Sequence, residues 1–248
     1  MFNLNIDKKY LYIVLAIIVA FSLADYIRNP EQLLLLVLTL PGVIIAITFH
    51  EFAHAWMANK LGDDTPRQQN RLNLNPLSHI DPFGFIMLVF AHFGWGKPVE
   101  IDPRNFNRNR SMSAQEAMVA IAGPIMNLIL ALIFTIIYVA LSTFARAFIA
   151  TNQVGIILMS IIYMAIIVNI GLGVFNLVPL PPLDGSKVLA HFLPYNAKTW
   201  FENNEKIFYL IFLAIWITGI VNYIISPVIS VVSNGMYWLV ASIFNLFI

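Results

Sequence analysis

Long apolar stretches separated by short polar segments dominate the hydrophobic pattern of this chain. A helix needs about 20 predominantly apolar residues to cross a bilayer, and six stretches of roughly that length or more occur here. The candidate spans are roughly Tyr10 to Ile27, Gln32 to Met57, Ala114 to Thr143, Val154 to Val178, Ile207 to Ile225 and Pro227 to Phe247. The pattern therefore predicts an all-α membrane protein with about six transmembrane helices.

A shorter apolar stretch, Phe85 to Phe93, lies in the long loop between the second and third predicted spans, flanked by Gly84, Gly94 and Gly96. It is too short to cross the bilayer as a helix. We predict a small membrane-associated β-hairpin or sheet here, which is permitted at membrane depth only if its backbone is paired or covered by protein. On periodicity alone, an ordinary amphipathic strand in the loop is the alternative.

The composition supports a membrane protein and excludes several other classes. The chain is 59% hydrophobic and 11% charged, whereas soluble domains average about 45–50% apolar residues. It has no cysteine, so disulfides and a thiol nucleophile are excluded, and any zinc ion must be held by His, Asp or Glu. No basic stripe interleaved with aromatic residues indicates a nucleic-acid partner. Without a visible repeat or linker, residues 1–248 read as a single membrane domain.

Positive charges fall mainly on one side of the predicted bundle. If there are six spans, all but Arg28 and Arg146 of the 14 Lys and Arg residues share that side. The positive-inside rule makes the richer side cytoplasmic. We therefore predict a multi-pass protein of the cell (cytoplasmic) membrane with both termini on the cytoplasmic side. The first apolar segment lacks a small-residue cleavage site, which indicates a retained span rather than a signal peptide.

The strongest chemical signal is an H-E-x-x-H motif, His50-Glu51-Phe52-Ala53-His54, inside the second apolar segment. On a helix, positions i and i+4 project from the same face, so both imidazoles can bind one metal ion. The neighbouring glutamate can take a proton from a metal-activated water and return it to the leaving amine. Because such groups are costly in an apolar helix, their presence favours a metal hydrolase site within the membrane.

A catalytic zinc site typically has three protein ligands and one open position. The best third candidate is Asp184, which follows a proline-rich stretch at the end of the fourth span and emerges on the same side as the two histidines. Its alternative role is to cap the short helix that starts near Ser186. Glu116 is a rival ligand because His2Glu zinc sites exist, although an acidic residue in a first helical turn has an ordinary electrostatic explanation.

Three motifs together resemble the site-2 protease family of intramembrane zinc metalloproteases. They are the H-E-F-A-H motif, the Gly123-Pro124-Ile125-Met126-Asn127 stretch in the third span, and the N-x-x-P-x-P-P-L-D-G stretch from Asn176 to Gly185. The loop from Arg71 to Pro82 is also similar to that of compact members of the family without a PDZ domain. The catalytic core covered by this resemblance runs from about residue 32 to 195.

The resemblance implies specific roles for these residues. His50, His54 and Asp184 would bind one Zn²⁺ ion, and Glu51 would activate the water. Asn127 and Asn176 would contact the substrate backbone or the developing oxyanion, as preorganised amide donors can. The alternative for Asn127 is a polar packing contact between spans. The implied substrates are transmembrane proteins, reached within the lipid bilayer.

Two other functions are compatible with parts of this pattern. A metal-binding transporter or scaffold would use the same ligands, but it would not need Glu51 as a base. A protease of prenylated proteins also has H-E-x-x-H, and it would require Glu116 or Glu205 as the third ligand. His79, His92 and His191 receive no metal role, because loop and interfacial histidines more often serve local structure.

Overall fold

The computed structural model describes residues 8–91, 94–107 and 109–246, and for helix residues 8–15, 17–18, 91, 217 and 221–222 it describes the backbone alone. Within this part of the chain, twelve α-helices account for most residues, with a 3-10 turn at Pro103–Asn105. The helices are α1 (Lys8–Arg28), α2 (Pro30–Lys60), α3 (Thr65–Gln68), α4 (Pro76–His79), α5 (Pro82–Ala91), α6 (Met112–Phe144), α7 (Arg146–Thr151), α8 (Gln153–Asn176), α9 (Asp184–Phe192), α10 (Tyr195–Asn203), α11 (Glu205–Ile217) and α12 (Ile220–Phe244).

Helices α2, α6 and α8 form the centre of the bundle, and each contacts the other two extensively. Small residues allow close packing between them: a Cβ atom on Gly42 of α2 would lie 2.7 Å from the Cα atom of Ala165 in α8. Small residues are typical of such interfaces in membranes, since apolar burial against lipid gives no net driving force. Helix α12 packs on the outside of α6 and α8. The three central helices are therefore held close enough to share a buried site.

Polar residues define where the central helices begin. The Ser111 hydroxyl accepts a hydrogen bond from the Ala114 N–H group at the start of α6, and the Asn152 side chain accepts one from the Val154 N–H group at the start of α8. Pro30 occupies the first turn of α2, where its missing N–H group costs nothing. These caps fix the helix ends in the sequence.

The prediction of about six spans is wrong. Among the described residues, four helical segments are long and apolar enough to cross a membrane, and they are Pro30–Lys60, Met112–Phe144, Gln153–Asn176 and Tyr223–Phe244. The first three coincide with the second, third and fourth predicted spans. The first predicted span falls within α1, for which most side chains before Val19 lie outside the described residues.

The fifth predicted span fails because the chain turns in its middle. Gly219 has φ of +70°, a left-handed conformation that glycine adopts without steric cost, and it separates α11 from α12. Helix α11 has 13 residues, a length of about 20 Å at 1.5 Å per residue, short of the roughly 30 Å hydrocarbon core. Helix α12 takes over the end of the fifth predicted span and most of the sixth.

The predicted β-hairpin at Phe85 to Phe93 is also wrong, because this stretch forms helix α5 and the described residues contain no strand beyond an isolated Ile80–Gly96 bridge. The Asp81 carboxylate accepts a hydrogen bond from the Gly84 N–H group, 2.7 Å away, at the start of the helix. A helix pairs its own backbone groups, as an apolar setting requires. His92 and Phe93 lie outside the described residues.

Helix α5 packs against α1 in the apolar part of the molecule. The Tyr26 hydroxyl donates to the Val89 carbonyl oxygen, 2.8 Å away, and the Ser22 hydroxyl donates to the Phe90 carbonyl oxygen. These two bonds satisfy carbonyl groups that the end of a helix leaves unpaired. Side chains of α1 therefore provide hydrogen-bond partners for backbone groups at the end of α5.

Candidate metal centre and active site

The two histidines of the H-E-x-x-H motif lie one turn apart on α2 and point into the bundle. His50 is 6% exposed and His54 is 9% exposed. Their ring centroids are 4.6 Å apart, and their Nε2 atoms are separated by 3.0 Å. The helix therefore brings two imidazole nitrogens to one point, as their spacing predicts.

The third donor at this point is Asp184, the first residue of α9. Its Oδ2 atom lies 3.1 Å from the Nε2 atom of His50 and 3.3 Å from that of His54. Ligands at the corners of a tetrahedron with bonds of about 2.0–2.1 Å are about 3.3 Å apart. The three atoms thus have the mutual spacing that a tetrahedral zinc ion requires, and a fourth corner is left for water or substrate.

Among the described residues, His50, His54 and Asp184 form the group of acidic or imidazole side chains that converge tightly enough to bind one metal ion. Glu116 and Glu205 are not part of it. Burial alone would raise the pKa of the Asp184 carboxyl, but the His54 and His50 imidazoles hold that pKa below its ordinary value. The carboxylate is therefore ionised at neutral pH, the state in which it can bind a cation.

Both imidazoles are oriented through their other ring nitrogen. The Nδ1 atom of His54 lies 2.8 Å from the Val119 carbonyl oxygen, and the Nδ1 atom of His50 lies 2.6 Å from the Asn127 side-chain oxygen. These contacts place the ring protons on Nδ1 and leave the Nε2 lone pairs for the metal. Such outer hydrogen bonds are typical of histidine ligands.

Glu51 lines the same cavity as the three donors, a space of about 480 Å³. It is half-buried, and its Oε2 atom accepts a hydrogen bond from the Val99 N–H group, 3.2 Å away. A carboxylate in the same cavity as the three donors can transfer protons to and from a metal-activated water. Val99 could not be predicted from residue types, because its contact with Glu51 is made by a backbone N–H group 48 positions away.

The loop after α2 reaches the site because two buried polar residues fix it. Arg71, 5% exposed, donates to the carbonyl oxygens of Ser78, Lys97 and Pro98. The last two precede Val99 directly. The Arg71 guanidinium therefore holds the backbone from which Val99 contacts Glu51.

The second fixed point of this loop is Asp63, which has no exposed surface. Its carboxylate accepts hydrogen bonds from Thr65, from the Asp102 N–H group and from the Asn105 amide. Burial would raise the pKa of this carboxyl, but the hydrogen bonds outweigh burial and lower the pKa. Asp63 therefore ties the far end of the loop to the end of α2.

Asn127 and Asn176 occupy different positions relative to the cavity. Asn176 lines it, and its amide donates to the Leu172 carbonyl oxygen, 3.0 Å away in its own helix. Asn127 has no exposed surface, and its amide group donates to Ala46 and Asn169. The substrate-binding roles of both residues stay predictions, and the contacts of Asn127 favour orientation of His50 instead.

The other histidines take structural positions where they are described. His79 is fully buried, and its Nε2 atom lies 2.7 Å from the Asn73 carbonyl oxygen. Burial lowers the pKa of His79, so it remains neutral. The ring of His191 packs against that of Phe192.

The site geometry agrees with what comparisons with known proteins show. The sequence profile of peptidase family M50 matches residues 38–219, which include all three metal donors and Glu51. This chain belongs to peptidase family M50, the site-2 protease family. As a member of this family it is a zinc metalloprotease and an integral membrane protein, and the ion that the family implies is Zn²⁺.

Individual relatives support the same M50 assignment. YwhC of Bacillus subtilis, provisionally named a zinc metalloprotease, is 35% identical over 210 residues, which cover 85% of this chain and 92% of the relative. Rip2 of Mycolicibacterium smegmatis, named in the same way, is 31% identical over 67% of this chain and 61% of its own length. Rip2 of Mycobacterium tuberculosis (strain H37Rv) is 26% identical over 76% of this chain and 73% of its own length. No solved structure matches this M50 protein significantly.

Gly123 of α6 faces the metal donors without a side chain. A Cβ atom there would lie 2.5 Å from the Nε2 atom of His54 and 2.7 Å from the Cε1 atom of His50. We expect Gly123→Ala to weaken zinc binding by at least about 10-fold, the lower end of the range seen when ligand orientation is disturbed. Chelator competition on the purified protein measures this affinity.

Gly171→Ala on α8 is the matched control, because the nearest atom to its new Cβ would be the Ile229 Cδ1 atom at 3.6 Å, an ordinary contact. This variant should bind zinc as the unsubstituted protein does. Wild-type zinc affinity in the Gly123→Ala protein would contradict the tight approach of α6 to the two imidazoles.

Proposed function

We propose that this protein is an intramembrane zinc endopeptidase that hydrolyses peptide bonds within or near the transmembrane segments of membrane-protein substrates. The observation that carries the proposal is the convergence of His50, His54 and Asp184 beside Glu51, within a bundle of membrane-spanning helices. A metal site for transport or storage needs the three donors but no additional base. The Glu51 carboxylate in the same cavity is the group that hydrolysis needs in addition.

The reaction divides between the metal and the side chains. A bound zinc ion supplies Lewis-acid activation of the scissile carbonyl group and of water. Glu51 accepts the proton of the attacking water and delivers it to the leaving amine, while its hydrogen bond from Val99 holds the carboxylate in place. We assign Asn176 as a donor to the substrate backbone, because its side chain faces the cavity.

An apolar cavity next to the site supports a substrate that arrives from the bilayer. Its volume is about 590 Å³, and residues of α1, α2, α5, α8, α11 and α12 line it. Leu172 and Phe175 line both this cavity and the metal-site cavity. A mostly apolar space contiguous with the reactive groups suits a membrane segment better than a polar peptide.

We further propose that the site opens toward the cytoplasm and that the membrane is the cell membrane. The segments on the site side of the four spans carry most of the Lys and Arg residues, and the positive-inside rule makes that side cytoplasmic. The predicted cytoplasmic C-terminus depended on six spans. Phe144 is the last residue of α6, which ends on the side away from the site, and its ring lies 6.1 Å from that of Phe244 at the end of α12. This contact favours the side away from the site for the end of α12.

The catalytic core is assigned to residues 32–195.

The proposal is tested by reconstituting the purified protein into the same vesicles as detergent-solubilised membrane proteins from cells that lack it, and mapping new peptide termini by mass spectrometry. We expect cuts within transmembrane segments, absent after zinc is removed by a chelator and restored when zinc returns. Cuts confined to soluble domains would contradict the intramembrane substrate class. Zinc flux across vesicles without any cleavage would favour the transporter instead.

A further inference from the structure

A second buried amide, Asn169 of α8, stands behind Asn127 in the core of the bundle. Both asparagines have no exposed surface. The Asn127 Nδ2 group donates to the Asn169 Oδ1 atom, 3.0 Å away, and the Asn169 Nδ2 group donates to the Ala165 carbonyl oxygen, 2.8 Å away. With His50, these residues form a continuous chain of hydrogen bonds across α2, α6 and α8. We call this chain the amide relay.

Backbone carbonyl groups at both ends of the relay determine how each asparagine amide is oriented. The carbonyl oxygens of Ala46 and Ala165 can only accept hydrogen bonds, so the NH₂ group of Asn127 must face Ala46 and that of Asn169 must face Ala165. Both N–H bonds of the Asn127 amide are then used, one on Ala46 and one on Asn169. The Asn127 oxygen is thereby turned toward His50.

The orientation of the Asn127 amide determines which nitrogen of His50 carries the proton. An oxygen 2.6 Å from Nδ1 requires a proton on that nitrogen, and this leaves the Nε2 lone pair facing Asp184 and His54. If the Asn127 amide were rotated by a half turn, its NH₂ group would face Nδ1 and favour the other tautomer. That tautomer points an N–H bond at the metal position, where it cannot bind zinc.

Asn169 makes rotation of the Asn127 amide more costly. With Asn169 present, a rotated Asn127 would turn its oxygen toward two acceptors, the Ala46 carbonyl oxygen and the Asn169 Oδ1 atom, and would lose both hydrogen bonds. Without the acceptor at position 169, rotation would lose only the hydrogen bond to Ala46. In a core without exposed surface, no water replaces the missing partner. His54 needs no such device, since the Val119 backbone carbonyl orients it directly.

The uncharged nature of the relay suits a site inside a bilayer. Many zinc sites use a carboxylate to orient a histidine ligand. Here Asp184 and Glu51 already balance the double charge of a zinc ion, and a third carboxylate would leave an excess negative charge in an apolar region. An amide orients the imidazole without adding charge.

We propose that Asn169 is a positioning residue that, through Asn127, holds His50 in the tautomer able to bind zinc. The role rests on the zinc site of the proposed function but not on peptide cleavage. Metal affinity and tautomer are both measured without substrate, so failure of the relay is distinguishable from failure of the peptidase proposal.

The test compares two substitutions of the same shape. Asn169→Leu removes the acceptor, and we expect it to weaken zinc binding about 10-fold in chelator competition, the lower end of the range for outer partners of ligands. Asn169→Asp keeps an oxygen facing Asn127. Because burial favours the neutral acid, its hydroxyl can donate to Ala165, and we expect it to retain near-normal zinc affinity.

Histidine-selective ¹⁵N NMR of the zinc-free protein in bilayers reads the tautomer directly. The reading taken is the proton on Nδ1, because Nε2 faces the Asp184 carboxylate and can also be protonated when zinc is absent. We expect Nδ1 of His50 to carry a proton in the unsubstituted protein and in Asn169→Asp, and to lack it in part of the Asn169→Leu molecules. Thr135→Val is the control for a lost polar group in the same core, since Thr135 is buried and its hydroxyl donates to the Ala131 carbonyl oxygen of its own helix. This control should change neither measurement.

Two results would overturn the proposal. If Asn169→Leu kept the Nδ1 tautomer and bound zinc within about twofold of the unsubstituted affinity, Ala46 alone would suffice to orient Asn127. If Asn169→Leu and Asn169→Asp lost zinc affinity equally, the asparagine would matter for packing and not for its oxygen. Should the leucine variant fail to fold, the tautomer in Asn169→Asp still decides, because a mixture there contradicts the relay.

Discussion

Replacement of Asp184 by alanine is expected to abolish both zinc binding and peptide cleavage. The Asp184 carboxylate is one of three donors, and its loss leaves two imidazoles whose Nε2 atoms are 3.0 Å apart. Removing a ligand itself should cost more than the about 10–100-fold in affinity typical of its outer partners. Zinc content by mass spectrometry and affinity by chelator competition measure the loss.

The matched control for this prediction is Glu116→Ala. Glu116 lies on α6 near its start, outside the group of converging donors. This variant should keep its zinc and its activity. The reverse outcome, with metal lost on removal of Glu116 and kept on removal of Asp184, would favour the ligand set of a prenyl-protein protease and contradict the site described above.

Glu51→Gln is expected to separate metal binding from catalysis. Glutamine has nearly the same shape and can still accept a hydrogen bond from the Val99 N–H group, but it cannot take a proton from water. Because general acid–base catalysis contributes about 10²–10⁴-fold, cleavage should fall by that factor while zinc content stays unchanged. Rates of appearance of cleaved membrane substrate, with zinc content from the same preparation, provide the measurement.

Glu202→Gln serves as the control, since Glu202 is an exposed glutamate on α10 and does not line the metal-site cavity. Its cleavage rate should match that of the unsubstituted protein. Normal activity in the Glu51→Gln protein would instead show that Glu51 is not the base, and it would leave the metal-binding scaffold as the better explanation.

The core of the site could be predicted from the sequence because its chemistry is encoded locally. His50, Glu51 and His54 fall in one helical turn, and a turn has the same geometry in any helix. Asp184 could be placed near them because proline residues follow the preceding helix and because the second, third and fourth predicted spans, which the structure retains, bring both segments to one membrane face. The family match and the convergence of these donors agree with that reasoning.

The errors in the fold arose where the apolar pattern is ambiguous. A run of ten apolar residues fits a helix or a strand, and what favours a helix at residues 82–91 is the Asp81 cap together with Tyr26 and Ser22, which lie far away in the sequence. The break at Gly219 likewise interrupts an apolar run that contains no charged residue to mark a membrane boundary. Such features depend on tertiary contacts and backbone conformation.

Asn169 was missed although the sequence contained a signal for it. It is an amide in the middle of a mostly apolar helix, and polar groups in such positions usually have a partner. Its partner, Asn127, is 42 positions away, and no short motif connects them. The helix packing had to be known before the two amides could be joined.

The distance along the chain between His50 and Asp184, 134 positions, has a consequence during biosynthesis. A polypeptide that the ribosome has extended only through α8 already holds its imidazoles in the lipid phase, yet it lacks the third donor. Zinc cannot be bound fully until α9 has been made. The growing chain therefore lacks a complete metal site until its helices α2, α6 and α8 have already been synthesised.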